Sequence, residues 1–219
     1  MNLIKSLLNL IFPLECKVCR RPLKTGNQTY ICSKCLEKIR FIKEPYYLKE
    51  KHYFKKIYSI GPYQGVLREA ILLLKYQGVK GLIPPLGKIL LEYCEENIDF
   101  SSFDLIFPVP LFRSKKRERE FNQAEAFAQI IGKRYSLPVS NENLLRIRDT
   151  RKMSGLNLEE RRRNVKGAFV VREKEKIRNK RILLTDDICT TGATVDECSK
   201  VLLTAGAKEV TVLTLARTI

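Results

Sequence analysis

The chain has 219 residues, 44% of them hydrophobic, enough to bury the core of one ordinary domain with a small module attached. Lys and Arg number 41 against 24 Asp and Glu, giving a net charge of +17. That balance excludes a polar disordered chain and implies an anionic partner: nucleic acid, a phosphorylated metabolite or anionic lipid.

The charge is unevenly placed: +9 over residues 1–56, −2 over 57–110, +12 over 111–181 and −2 over 182–219. A single basic run ordinarily solvates an exposed face. Two blocks alternating with apolar stretches favour a longer phosphate track. No apolar run approaches the ~18 residues a membrane-spanning helix needs.

At the start, Leu3, Ile4, Leu7, Leu8 and Ile11 follow helical spacing and predict an amphipathic helix ending before Pro13. Asn9 interrupts the apolar stretch and Pro13-Leu14-Glu15 is no small-residue cleavage site, so a signal peptide is not expected. A cytoplasmic location follows as the expectation, with the seven cysteines reduced and free of disulfides.

Next come Cys16-x-x-Cys19 and Cys32-x-x-Cys35. Each pair can place two thiolates on one cation, and two such knuckles complete the tetrahedral four-sulfur site that zinc favours. A closed four-thiolate site leaves no open coordination position, so the zinc is read as structural. Lys17, Arg20, Arg21, Lys24, Lys34, Lys38 and Arg40 surround these cysteines, with Tyr30 and Phe41 interleaved. This is either a single-stranded nucleic-acid surface or a solvated face with aromatics packed beneath the knuckles. The module is placed at 1–45 and a second domain at 46–219, after a linker around Lys43–Lys56.

Within the second domain, strands are predicted at Tyr58–Ile60, Asp104–Val109, Ala168–Val171, Arg181–Asp186 and Val210–Leu215. Helices are predicted over Val66–Tyr76 with a stop at Gly78, Leu86–Glu96, Asn122–Tyr135 and Thr194–Ala205 with a stop at Gly206. Continuous apolar strands separated by helices indicate an α/β fold with a parallel sheet flanked by helices, and ligands at the strands' carboxyl ends. Cys94 and Cys198 read as core residues. His52, the single histidine, reads as a surface residue.

The most informative stretch is Ile182-Leu183-Leu184-Thr185-Asp186-Asp187-Ile188-Cys189-Thr190-Thr191-Gly192-Ala193-Thr194. A buried strand delivers two carboxylates to its end, and a short loop of hydroxyls and glycine opens a helix. Amides at the helix start with the Thr190, Thr191 and Thr194 hydroxyls form an anion cradle, which Gly192 lets a phosphate approach closely. Asp186 and Asp187 suit sugar hydroxyls or hydrated Mg²⁺. Phosphate beside vicinal hydroxyls describes a ribose 5-phosphate. Cys189 is either a reactive thiol at a helix start or a position where only the backbone amide matters.

This loop resembles the phosphoribosyl pyrophosphate (PRPP) loop of type I phosphoribosyltransferases, and the whole chain resembles the ComF family, which includes ComFC and GntX-like proteins. The resemblance rests on the cysteine set, Tyr63-x-Gly65-x-x-Arg68, Lys75-Tyr76-x-Gly78, Pro108-Val109-Pro110-Leu111, Arg117-x-Arg119-x-Phe121-Asn122-Gln123-Ala124, Arg161-x-x-Asn164-Val165-x-Gly167-Ala168-Phe169 and the Asp-Asp-Thr-Thr-Gly loop. It implies a type I phosphoribosyltransferase fold behind a zinc finger. It also implies Asp186 and Asp187 on the ribose hydroxyls as candidate catalytic residues, and Thr190, Thr191, Gly192, Ala193 and Thr194 on the 5-phosphate. Pyrophosphate, neutralised by Mg²⁺, would lie on the loop from Val109 to Lys115, with Arg113, Lys115 and Arg117 as candidate partners.

The functions implied are phosphoribosyl transfer, uptake of single-stranded DNA in competence alongside a helicase-like partner, or metabolic salvage without DNA. Nucleic-acid candidates are Lys75, Tyr76, Arg117, Arg119, Asn122, Arg161 and Asn164. Two departures stand out: Glu120 occupies a position where the family has glycine, and Met153 one where glutamine is usual.

Overall fold

The computed structural model describes residues 14–23, 30–47, 52–151, 153 and 155–218. The helix expected over Leu3–Ile11 lies outside the described residues. The elements run α1 (Ser33–Leu36), β1 (Ile57–Pro62), α2 (Gly65–Tyr76), α3 (Ile83–Asn97), β2 (Leu105–Pro108), α4 (Arg113–Arg119), α5 (Gln123–Tyr135), β3 (Leu144–Arg146), α6 (Leu158–Val165), β4 (Phe169–Val171), β5 (Arg181–Cys189), α7 (Ala193–Thr204) and β6 (Glu209–Arg217).

The main sheet has the order β1-β6-β5-β2, with every pairing parallel. Its central strands are buried on both faces, in keeping with the apolar run 182–184 and the largely apolar 210–216, whose Thr211 and Thr214 are also buried. One face is covered by α2, α3 and α5 around Tyr93, Leu74 and Ile131. The other is covered by α7 and by the β3–β4 pair around Phe107, Phe169 and Leu202. Each fully buried Leu or Ile here contributes ~1.5–3 kcal/mol relative to exposure. Cys94 and Cys198 sit in these cores, as expected.

Three features differ from the sequence reading. Phe169–Val171 pairs antiparallel with Leu144–Arg146 in a separate two-stranded sheet, so this apolar run is not a fifth parallel strand. Three-residue strands are too short for periodicity to assign a direction. The basic run Arg113–Arg119 forms a helix with no buried residue, which hydrophobic spacing cannot detect. His52 is covered rather than exposed: its side chain keeps 7% exposure, stacks on Phe54 at 5.0 Å, and places Nδ1 3.3 Å from Asp196 Oδ1.

The cysteine module is continuous with the main core. Cys16, Ile31 and Cys35 belong to the same buried cluster as Ile60, Leu67 and Leu82. Downstream, the Ile42 amide donates to the Ile60 carbonyl at 2.9 Å and Tyr46 bridges antiparallel to Ile57, covering the β1 edge. Tyr30 packs so closely on Gly81 that an added Cβ would lie 2.0 Å from the ring, which explains why glycine stands there.

Candidate functional site

The four cysteine sulfurs of Cys16, Cys19, Cys32 and Cys35 lie within 4.8 Å of one another, with Cys16–Cys35 at 3.8 Å and Cys19–Cys32 at 3.7 Å. A tetrahedron of zinc–sulfur bonds of about 2.3 Å has edges of about 3.8 Å, so the donor set fits one zinc ion. The Cys32 amide points at the Cys16 sulfur at 3.4 Å, the sort of donor that stabilises a thiolate. All seven cysteines are free of disulfides.

The second centre forms at the carboxyl end of β5. The strand does not stop at Asp186 but continues through the acidic pair to Cys189. Successive strand residues project to opposite faces, and the partners follow. Asp187, nearly buried, meets Lys75 of α2, with Nζ 2.7 Å from Oδ1. Asp186 accepts the Asp187 amide at 2.8 Å, and the charges of Lys75 and then of Arg146, at the end of β3, pull against its protonation. Burial, then the neighbouring Asp187 carboxylate, push the Asp186 carboxyl up to about 7.

Past Cys189 the chain turns through Thr190 and Thr191 to Gly192, whose φ of 78° is left-handed backbone open to glycine at little cost. Gly192 caps α7, so the unpaired amides of the first turn, from Ala193 onward, face the pocket lined by Met153, Asp186, Thr190 and Thr194. Arg161 of α6 reaches this loop, donating from Nη1 to Thr190 Oγ1 at 3.0 Å and from Nε to the Leu156 carbonyl at 2.9 Å. The sequence reading set Arg161 among nucleic-acid contacts; the structure brings it to the anion cradle. Cys189 is 5% exposed and burial pushes its thiol up to about 12, which excludes a reactive thiolate.

Opposite this loop, the Val109 amide donates to the Thr185 carbonyl at 2.9 Å, so the segment after β2 starts beside the acidic pair. Arg113 and Lys115 extend from it on α4, and Arg117 is exposed further along. Ser114 donates to Asp149 at 3.2 Å, and Lys115 Nζ lies 3.4 Å from the Thr150 carbonyl. Arg146 donates to the Thr150 hydroxyl and lies over the Phe169 ring at 5.3 Å. Burial lowers the proton affinity of both Lys115 and Arg146, and the charge of Arg146 lowers Lys115 further. Sequence reasoning missed Arg146, whose only signal was a cation ending a short apolar run.

Asn122, expected on nucleic acid, is 8% exposed and engaged at both ends of its amide. It accepts from the Ala124 amide at 3.1 Å as the cap of α5 and donates to the Val109 carbonyl at 3.0 Å. Asn164 likewise holds backbone, donating to the Arg151 carbonyl at 2.9 Å and accepting the Arg151 amide at 3.1 Å. Its Nδ2 also lies 3.6 Å from Met153 Sδ, a weak contact where a glutamine would offer a full acceptor. Arg119 and Tyr76 stay together at the surface, the guanidinium 5.8 Å from a ring that is 65% exposed. Glu120 has φ 63°, so the position favoured by glycine is a left-handed turn, held here beside Lys80 at 3.0 Å. No helix among the described residues is long and apolar enough to cross a membrane.

Known families and curated proteins match most of the chain. The double zinc ribbon domain family matches residues 7–46, and the phosphoribosyl transferase domain family matches residues 107–218. Competence protein F of Haemophilus influenzae is 30% identical over 174 residues, 78% of this chain and 76% of that protein. DNA utilization protein YhgH of Escherichia coli O157:H7 is 28% identical over 229 residues, 96% of this chain and 100% of that protein. A solved structure of the allosteric regulatory enzyme of purine biosynthesis superposes with a TM-score of 0.44 at 19% identity, over 65% of this chain and 29% of that chain. With a four-cysteine ribbon packed on a phosphoribosyl transferase domain, and with Competence protein F similar over most of both lengths, the chain belongs to the ComF family.

Proposed function

We propose that this protein binds PRPP with Mg²⁺ at the carboxyl end of β5 and engages single-stranded DNA during DNA uptake. The observation that carries the reading is the junction of β5 and α7: an acidic pair, then a hydroxyl-rich turn capped by Gly192, beneath the start of a helix. Asp187, 2.7 Å from the Lys75 ammonium, accepts hydrogen bonds from a ribose diol. The Thr190–Thr194 turn and Arg161 hold the 5-phosphate. The loop from Val109 to Lys115, with Arg146 behind it, supports the pyrophosphate. Mg²⁺, when bound with the ligand, neutralises the diphosphate.

If an acceptor reaches the anomeric carbon, its bond to that carbon forms as the carbon–oxygen bond to pyrophosphate breaks, and pyrophosphate leaves with the electron pair. The DNA reading is supported by the printed names of the relatives, Competence protein F and DNA utilization protein YhgH, and by the two basic blocks. The test is calorimetric titration of PRPP with and without Mg²⁺, paired with oligonucleotide binding across a salt series. Saturable PRPP binding strengthened by Mg²⁺, with DNA affinity falling as salt rises, supports both halves. Absence of PRPP heat rejects the ligand, and absence of DNA binding at low salt rejects the partner.

A further inference from the structure

Two motifs, Tyr63-x-Gly65-x-x-Arg68 and Lys75-Tyr76-x-Gly78, have no assigned work in the phosphoribosyl site apart from Lys75. The structure puts them at opposite ends of one helix. α2 starts three residues after the carboxyl end of β1 and ends where Lys75 meets Asp187, so it runs across the carboxyl edge of the sheet from β1 to β5. Its twelve residues span about 18 Å at about 1.5 Å per residue.

Each end carries an aromatic ring with a guanidinium beside it. Arg68 lies 5.9 Å from the centroid of Tyr63, and Arg119 lies 5.8 Å from that of Tyr76. Beyond Tyr63 a cleft of about 420 Å³ opens between the zinc ribbon and the β1–α2 turn, with Lys38 and Arg40 on the ribbon side and Gln64 and Gly65 on the other. Among the described residues, no ion pair joins Lys38, Arg40 or Arg68 to a carboxylate.

We infer that a single DNA strand follows α2, entering at the Lys38–Arg40 cleft, passing Tyr63 and Arg68, and stacking a base on Tyr76 beside Arg119. A ring takes a base face while the adjoining guanidinium takes the phosphate, the pairing that sequence-tolerant single-strand binding uses. Two such pairs a helix length apart exceed the reach of a small ligand. A duplex keeps its bases stacked inside and has no face to offer Tyr76. The track passes over the Lys75–Asp187 contact, so DNA and the phosphoribosyl ligand occupy adjoining positions. This rests on the DNA half of the proposed function and adds where the strand lies.

The experiment is fluorescence anisotropy of a labelled oligothymidylate with the zinc-loaded full chain. Tyr76→Ala is expected to weaken binding about 10-fold, the loss of one base stack. Arg68→Gln should reduce the slope of log affinity against log salt by about one. Lys133→Gln and Lys208→Gln, exposed and far along the chain from α2, should change affinity less than about twofold. Both α2 positions are at the surface, and zinc content with melting temperature verifies that each variant is folded. If Tyr76→Ala and Arg68→Gln bind as the parent does while Lys17→Gln or Arg21→Gln does not, DNA binding stands and the α2 track is wrong. If the parent itself binds no oligonucleotide at low salt, the DNA reading and the track both fail.

Discussion

Lys75 Nζ lies 2.7 Å from Asp187 Oδ1, with the two side chains 15% and 11% exposed, and this contact divides an acidic pair that is contiguous in sequence into two unlike groups. Asp187 has its own cation. Asp186, on the other face of β5, has no cation in contact among the described residues and is pushed toward its protonated form.

Removing the ammonium leaves Asp187 largely buried without a partner. Lys75→Gln is expected to cost about 3 kcal/mol, the low end for breaking a buried pair, because both heads retain some solvent. Lys75→Gln combined with Asp187→Asn restores a neutral pair and should recover part of the loss. Urea denaturation of the three variants measures it, and strict additivity of the two single losses would contradict the coupling.

Asp186 fixes a pH window. A carboxyl whose folded value is raised above its unfolded value, about 3.9, binds its proton more tightly when folded. Its contribution to stability is therefore fully present below about 4 and is lost as pH rises through about 7. Asp104 acts in the opposite sense: the Arg181 guanidinium holds it down at about 2, so its contribution is present above about 4 and is lost as pH falls toward 2. Urea midpoints of the parent and Asp186→Asn at pH 5 and pH 8 separate the two. The parent should lose ground against the variant on going to pH 8.

The left-handed turn at Glu120 predicts that Glu120→Gly is more stable than Glu120→Ala by about 1 kcal/mol. Both variants lose the exposed Lys80 ion pair equally, so the comparison isolates the backbone. Thermal or urea unfolding of the pair gives the number directly.

Zinc should be present at one ion per chain. Chelation removes the ion that organises the ribbon, and because Cys16, Ile31 and Cys35 share a core with Ile60 and Leu82, the loss extends to β1. A lowered melting temperature on chelation, restored by zinc, is the expected result. Gly81→Ala should also destabilise, by about 1–3 kcal/mol, since its methyl group meets the Tyr30 ring.

Much of this was legible in the sequence because its signals are strong and local. The paired Cys-x-x-Cys knuckles, the apolar 182–184 run and the glycine before α7 each have one dominant physical reading. What escaped depends on distant partners. Nothing near Lys75 in sequence shows that it meets Asp187, 112 positions away, and nothing near His52 shows Asp196 and Phe54 covering it. Asn122 and Asn164 became nucleic-acid candidates because they fall in the motifs that carry the family resemblance, and in the structure both bind backbone at loop junctions. The short β3–β4 pair and the wholly polar α4 carry no periodicity to read.

The most direct test of the account is PRPP titration by calorimetry of the parent against Asp186→Asn/Asp187→Asn, with Mg²⁺ present and zinc content matched. At pH 8, above the raised Asp186 value of about 7, each carboxylate offers charge-assisted hydrogen bonds worth about 1.5–3 kcal/mol, so the double variant should lose at least about 100-fold in affinity. Unchanged PRPP affinity in a folded double variant would contradict the assignment of the β5 carboxylates to the ribose.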